Sequence, residues 1–272
     1  MKKILIPIIL LCAILFIIYA FAQNTNSKSV QNNVQHSNQK LEIPNPISGE
    51  VIVEHYAYTL SYNSDYKQAN WVAYQLTKAE TVSEFNRGNR FTADPEIKNT
   101  SFNKDYTKSG YDRGHLAPAG DMGWSEQSMK ESFYYTNMGP QVPNFNRGVW
   151  KNLESLVRNW AIVEDDIYIV TGGVLKGEMS YIGEDRISIP NYYYKVILVM
   201  HQIPNKKQVV AKSIGFILPN AATESKYQLQ SYAVTIDSVE QVTGIDFFPV
   251  LPDKIENSIE KSSKFYDWKW EF

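Results

Sequence analysis

The chain reads as an α+β protein in which helices flank a central antiparallel sheet. Three observations predict that class. Runs rich in β-branched and aromatic residues recur from residue 51 to residue 218. Only three stretches carry helical signals. Strands and helices do not alternate regularly, as a parallel βαβ sheet would require.

The elements follow in order. Val51–Leu60 reads as one strand and Asn70–Leu76 as a second, with the turn formers Asn63, Ser64 and Asp65 between them. Tyr168–Thr171 is a strand ended by Gly172 and Gly173. Residues 192–201 and 208–218 are two apolar runs joined by Ile203-Pro204-Asn205-Lys206-Lys207, which predicts a hairpin. Within it, the Tyr192-Tyr193-Tyr194 run fits an alternating strand with one or two rings in the core; base stacking is the rival reading. Residues 125–133 form a helix with Ser125 as N-cap. From Gly148 to Trp160, the residues Trp150, Leu153, Val157 and Trp160 recur at i, i+3, i+7 and i+10, one apolar helical stripe. A third helix spans Ile236–Thr243, capped by Thr235 and stopped by Gly244.

The N-terminus has its own signature. Met1-Lys2-Lys3 precedes an apolar run from Ile4 to Ala22 that exits through Ala20-Phe21-Ala22. That is the pattern of a secretory signal peptide, residues 1–22, with an uncleaved membrane anchor as the alternative. Cleavage gives an exported protein, periplasmic or secreted, with no stable membrane association. Cys12, the only cysteine, leaves with the signal, so the mature chain has no disulfide and no thiolate nucleophile. Residues 23–46 read as a disordered tether; half of Gln23–Lys40 is Asn or Gln, too polar to offset chain ordering. Residues 47–272 then form one domain, with no repeat and no second linker.

Net charge is −2, or −4 once Lys2 and Lys3 are removed, which is low for a nucleic-acid binder. Its distribution matters more. Residues 87–158 hold ten Lys/Arg against eight Asp/Glu, whereas residues 237–272 hold four against eight. Positive charge gathers where the chemical motif lies.

That motif is Asp112-Arg113-Gly114-His115-Leu116-Ala117-Pro118-Ala119-Gly120-Asp121-Met122. An acid, a guanidinium and an imidazole fall within four residues. They are the groups needed to hold a phosphodiester and deprotonate a water beside it. A second block runs Asn137-Met138-Gly139-Pro140-Gln141, then Asn144-Phe145-Asn146-Arg147-Gly148-Val149-Trp150, then Leu153-Glu154 and Arg158. A third lies upstream, from Arg87 to Pro95. Together with Thr243-Gly244, these blocks resemble the sugar-non-specific DNA/RNA endonucleases, the ββα-metal nucleases with the Asp-Arg-Gly-His motif, over roughly residues 50–250.

The resemblance implies a ββα-metal nuclease fold and a metal-dependent endonuclease acting on DNA and RNA with 5′-phosphate products. It makes His115 the general base; the alternative is a buried histidine satisfied by hydrogen bonds. His55 and His201 lie in strands without motif company and read as structural or surface residues. Asn146 is implied as the ligand of Mg²⁺, with Mn²⁺ or Ca²⁺ as alternatives, because its amide oxygen is a hard donor. The competing role is an ordinary helix N-cap. Asn137 is implied to position the metal shell, or else is a turn residue. Glu154 and Arg158, at i and i+4, are read as holding a water of the metal shell and facing phosphate; the bland alternative is a surface ion pair. Asp112 and Arg113 either support the site or touch substrate. Arg87 and Arg90 compete to clamp phosphate charge, with Arg87 favoured. Two rival functions stay open: a degenerate binding module and a phosphodiesterase for small nucleotides. The sequence leaves the oligomeric state open.

Overall fold

The computed structural model describes residues 40–47, 49–202, 209–222 and 226–271. The expected signal peptide, Cys12 and most of the expected tether lie outside the described residues. Where the tether was expected to continue to residue 46, the chain is already packed. Leu41 and Ile43 rest against a core, and the Asn45 amide donates to Asp246 O at 2.9 Å. The folded body therefore begins before Ile47, because two apolar side chains here have a surface to cover.

The strands in chain order are β1 (Val51–Glu54), β2 (Thr59–Asn63), β3 (Gln68–Thr77), β4 (Asp112–His115), β5 (Met138–Gln141), β6 (Asp166–Gly173), β7 (Tyr181–Ile182), β8 (Ile187–Ser188), β9 (Tyr192–Gln202), β10 (Val209–Pro219) and β11 (Ala233–Val234). The α-helices are α1 (Asn103–Tyr106), α2 (Glu126–Glu131), α3 (Lys151–Glu164), α4 (Ile236–Thr243) and α5 (Asp253–Glu260). Seven strands form one antiparallel sheet in the order β1-β2-β3-β6-β9-β10-β11, and β4 with β5 forms a separate two-stranded ribbon. The α+β class holds.

The sheet is covered on both faces. Along β9, Tyr193, Ile197 and Val199 join the core under α3, while Tyr194, Val196 and Leu198 join the core under α4 and α5. The period-2 alternation of a strand sorts these side chains between two cores. It also settles the tyrosine run: Tyr193 and Tyr194 are buried, and Tyr192 is exposed. The stripe Trp150, Leu153, Val157 and Trp160 is buried as its periodicity requires. Thr235 caps α4 by accepting from Ser238 N, and Gly244 ends it with φ +76°, a conformation that favours glycine.

Two boundaries differ from expectation. The run from Val51 to Leu60 breaks at His55–Tyr58 into a β1–β2 hairpin, closed by His55 N donating to Tyr58 O at 2.8 Å. No Gly, Pro or Asn marks that turn. Tertiary bonds hold it: Tyr56 N and the Tyr58 hydroxyl both donate to Glu131, and His55 meets Asp94 at 3.0 Å. The helix expected from Gly148 begins instead with a widened turn, Phe145–Trp150, in which Gly148 has non-helical backbone angles. α5 carried no reading in the sequence.

α4 and α5 also gather like charge. Carboxylate oxygens of Asp237, Glu240 and Glu260 lie within 4.8 Å of one another, as do those of Asp246, Glu256 and Glu260. Burial, then the facing acids, pushes the Glu260 carboxyl up to about 7. An acid raised on folding favours the fold below its unfolded pKa and withdraws that stability as pH rises through the folded value. Glu260→Gln should therefore raise the thermal midpoint at pH 8 and change little at pH 4. Melting curves across that range check it.

Candidate active site

The ribbon β4–β5 presents the motif. His115 pairs with Met138 and Gly114 with Gly139. A Cβ on Gly114 would run into the buried Gln141 side chain, so the ribbon closes only with glycine there. Gly114→Ala should destabilise by ~1–3 kcal/mol through overpacking. The same strain should displace His115 next in the chain. Thermal melting and cleavage rate should fall together.

A cleft of about 690 Å³ opens in front of the ribbon. Its lining includes Arg87, Phe91, Asp112, Arg113, His115, Asn146, Arg147, Glu154 and Arg158. Arg90 is not among them; it lines a separate cavity with Thr92, Pro95, Met129 and Phe133. Of the two arginines, Arg87 is the one that lines this cleft. Arg87→Ala should lower turnover by ~10²–10³-fold, as loss of one charge-stabilising donor does. Arg90→Ala should leave turnover near wild type. Steady-state rates of the two variants check this.

His115 is 7 % exposed, and its Nε2 has no hydrogen-bond partner. Its ring meets the edge of Phe133 at 4.9 Å and Phe91 at 5.8 Å. Arg87 lies over the Phe133 ring, 5.8 Å from its centroid. A histidine satisfied by hydrogen bonds is not what this geometry shows. Burial, and then the Arg87 charge, pushes its pKa down to about 3. This corrects the expectation of an imidazole titrating near neutrality: His115 is neutral throughout that range, so it holds no proton of its own to shed before accepting one.

The N-cap alternative for Asn146 fails, since its side chain makes no capping bond. Its Nδ2 donates to Asp112 Oδ2 at 2.9 Å. An ionised carboxylate only accepts, so the amide nitrogen must face Asp112, and Oδ1 faces the other way. Asp112 is held below the usual carboxylate range despite burial, by bonds from Arg147 at 2.6 and 2.7 Å and from Asn146. It fixes the two side chains from β4 to the Phe145–Trp150 turn. Arg113 donates to Asn103 Oδ1 and O, and its guanidinium lies over Phe91, Tyr106 and Tyr135 at 5.2, 5.3 and 6.0 Å. That packing makes it a buttress of the cleft wall.

Asn137 departs from the metal-shell expectation. Fully buried, its Oδ1 accepts from Ala117 N, while Nδ2 donates to Ala117 O and Ser132 O. The amide clamps backbone two residues beyond His115 and does not line the cleft. Nor do Glu154 and Arg158 form the bland ion pair. Arg158 Nε donates to Asp121 Oδ1 at 2.8 Å and packs on Gly120, while the Tyr74 hydroxyl donates to Asp121 Oδ2 at 2.8 Å. Among the described residues Glu154 has no hydrogen-bond or ion-pair partner, and it lines the cleft, half-buried. His55 is buried against Asp94, and His201 meets Glu164 at the surface, so the one is structural and the other a surface residue.

Sequence reasoning missed Arg147, Asp121 and Lys195. Arg147 and Asp121 stood inside the quoted motifs, and only their partners were invisible. Lys195 had a signal: a lysine at an inward position of an otherwise apolar strand.

The donor set fits a hard divalent cation. Asn146 offers one neutral oxygen, Glu154 one carboxylate, and the cleft leaves room for the waters such a cation keeps. The acid clusters of α4 and α5 do not line the cleft.

Comparison with known proteins agrees with this geometry. The profile of the DNA/RNA non-specific endonucleases matches residues 36–254. Nuclease EXOG, mitochondrial, from Danio rerio is 36% identical over 207 residues, 71% of this chain and 60% of its own length. The chain thus spans well under two thirds of that relative. Nuclease C1 from Cunninghamella echinulata var. echinulata is 34% identical, covering 79% of this chain and 90% of its own. A crystal structure of EndoG in complex with EndoGI superposes with TM-score 0.71 and 28% identity, over 79% of this chain and 91% of that one. The ββα-metal nuclease architecture expected from the motif is therefore present, and the chain belongs to the DNA/RNA non-specific endonuclease family.

Proposed function

We propose that this protein is an exported, periplasmic or secreted, endonuclease that requires a divalent metal. It hydrolyses phosphodiester bonds of DNA and RNA with little sequence preference and leaves 5′-phosphate ends. Mg²⁺ is the leading metal, with Mn²⁺ and Ca²⁺ as alternatives. One observation carries the reading: His115, its Nε2 buried and unpartnered, and Asn146, its side-chain nitrogen committed to Asp112, line one cleft.

His115 accepts a proton from a water aligned with phosphorus. Arg87 faces the phosphoryl oxygens, where negative charge grows in the transition state. A bound phosphate also offsets the Arg87 charge that depresses His115, so the imidazole gains basicity when substrate is present. Asn146 Oδ1 and, through water, Glu154 are the groups that would hold the cation, whose chemistry is to neutralise the departing 3′ oxygen. Arg158, braced by Asp121, keeps positive charge on the same wall. Asp112, Arg113 and Asn137 hold the frame.

The test is to incubate the mature protein with supercoiled plasmid and with RNA, with and without chelator. Nicking of both that stops on chelation supports the reading. Binding without nicking under every metal would make it a binding module. Turnover of dinucleotides alone would make it a small phosphodiesterase.

A further inference from the structure

Two cations of the cleft have no task in the proposed hydrolysis. Arg147 stands in the Phe145–Trp150 turn, next in the chain to Asn146, and Lys151 opens α3; both line the cleft. Two other guanidiniums on its wall are already committed, Arg113 to Asn103 and to the rings of Phe91, Tyr106 and Tyr135, and Arg158 to Asp121.

Arg147 is fixed without being covered. Its Nε and Nη2 fork onto Asp112 at 2.7 and 2.6 Å, yet its side chain is 72 % exposed while that of Asp112 is 17 % exposed. An exposed ion pair adds little stability, but a two-pronged one fixes the plane of the guanidinium. A guanidinium has five N–H groups; Asp112 takes two, and the other three have no partner among the described residues. The carboxylate offsets the charge it holds, so Arg147 offers oriented donors more than net charge. Lys151 supplies the charge. It is exposed, and its ammonium has no hydrogen bond or ion pair among the described residues.

Oriented N–H donors beside a free ammonium suit a phosphate. Its place on the strand follows from the neighbours. In-line displacement puts the attacking water and the departing 3′ oxygen on opposite sides of phosphorus. In the reading above His115 serves the water, and Asn146 belongs to the side of the 3′ oxygen. Arg147 adjoins Asn146, so the nucleotide carrying that oxygen, and the phosphate at its own 5′ end, lie towards Arg147 and Lys151.

We propose that Arg147 and Lys151 form a binding site for the phosphate one step 5′ of the scissile one. This rests on the nuclease reading above. It makes the enzyme prefer strands that continue 5′ of the cut over strands that begin there.

The experiment uses oligonucleotides with a single ordinary phosphodiester in an otherwise neutral methylphosphonate backbone. One has no further charge. A second carries a charged, cleavage-resistant phosphorothioate one linkage 5′ of the cleavable bond, and a third carries it one linkage 3′. With Mg²⁺, wild type should show a KM ~10-fold lower for the 5′-charged strand than for the uncharged one, about the lower end of what one hydrogen bond to a charged group is worth. kcat should differ little. Arg147→Gln and Lys151→Gln should each shrink that gain, and the double variant should erase it. Any gain from the 3′ charge should stay. With chelator present, so that nothing is cut, binding of an ordinary single strand should lose ~0.7 of its log–log salt slope in each single variant. Lys151 makes no side-chain bond within the described fold, so Lys151→Gln keeps the test valid even if Arg147→Gln lowers the thermal midpoint.

A wild type that cuts the uncharged and the 5′-charged strands with equal KM overturns the site and leaves the nuclease reading standing. Variants that lower kcat on every strand but keep the 5′ gain and the salt slope reduce Arg147 to a brace for Asp112, and the site is lost. A wild type that cuts neither these strands nor supercoiled plasmid overturns the nuclease reading, and the site falls with it.

Discussion

His115→Ala should reduce strand cleavage by ~10²–10⁴-fold, the usual contribution of a general base. Nucleic-acid binding should survive, since affinity comes mainly from phosphate contacts such as those open to Arg87. Folding should also survive. The ring packs on Phe91 and Phe133, but its Nε2 is unsatisfied, so truncation leaves no bonded partner stranded. The pH dependence separates this residue from its neighbours. The imidazole works when neutral, and its pKa in the free protein is pushed down to about 3. Its share of activity is then present throughout the neutral range and lost only as pH falls towards that value. Residual cleavage by His115→Ala should keep any neutral-range limb of the wild type. External imidazole should restore part of the rate if the vacated space admits it. Wild-type cleavage by the variant would remove His115 from the chemistry and leave the motif as scaffold.

Asn146→Ala should lower turnover by at least ~10²-fold, because the amide oxygen proposed to hold the cation is gone. Metal titration should show a weakened apparent affinity. The fold should hardly notice. The side chain gives up one hydrogen bond to a charged acceptor, worth ~1.5–3 kcal/mol at most. Asp112 keeps both bonds from Arg147. Calorimetry and a metal-dependence curve on the same preparation separate these effects. Normal activity with unchanged metal dependence would reduce Asn146 to a strut for Asp112.

The chain itself determined more of the site than of its surroundings. Periodicity was enough for the α3 stripe and for β9 and β10, since burial of a repeating face is a local requirement on sequence. Thr235 and Gly244 bounded α4 because capping is satisfied within a few residues. The motif placed His115 and Asn146 in one chemical context although thirty residues separate them. Partners across the fold stayed hidden. The His55–Tyr58 turn exists because Glu131 and Asp94, distant in sequence, bond to it. Asn137 became a backbone clamp because Ala117 and Ser132 converge on its amide. Only packing separated Arg87 from Arg90, sending neighbouring guanidiniums to different cavities. Burial, and then the Arg87 charge, took His115 out of the neutral titration range, by disfavouring the charged form. Residue types are written in the sequence, but which polar group loses its water, and which distant charge replaces it, is decided when the sheet, α3 and the ribbon close on one another.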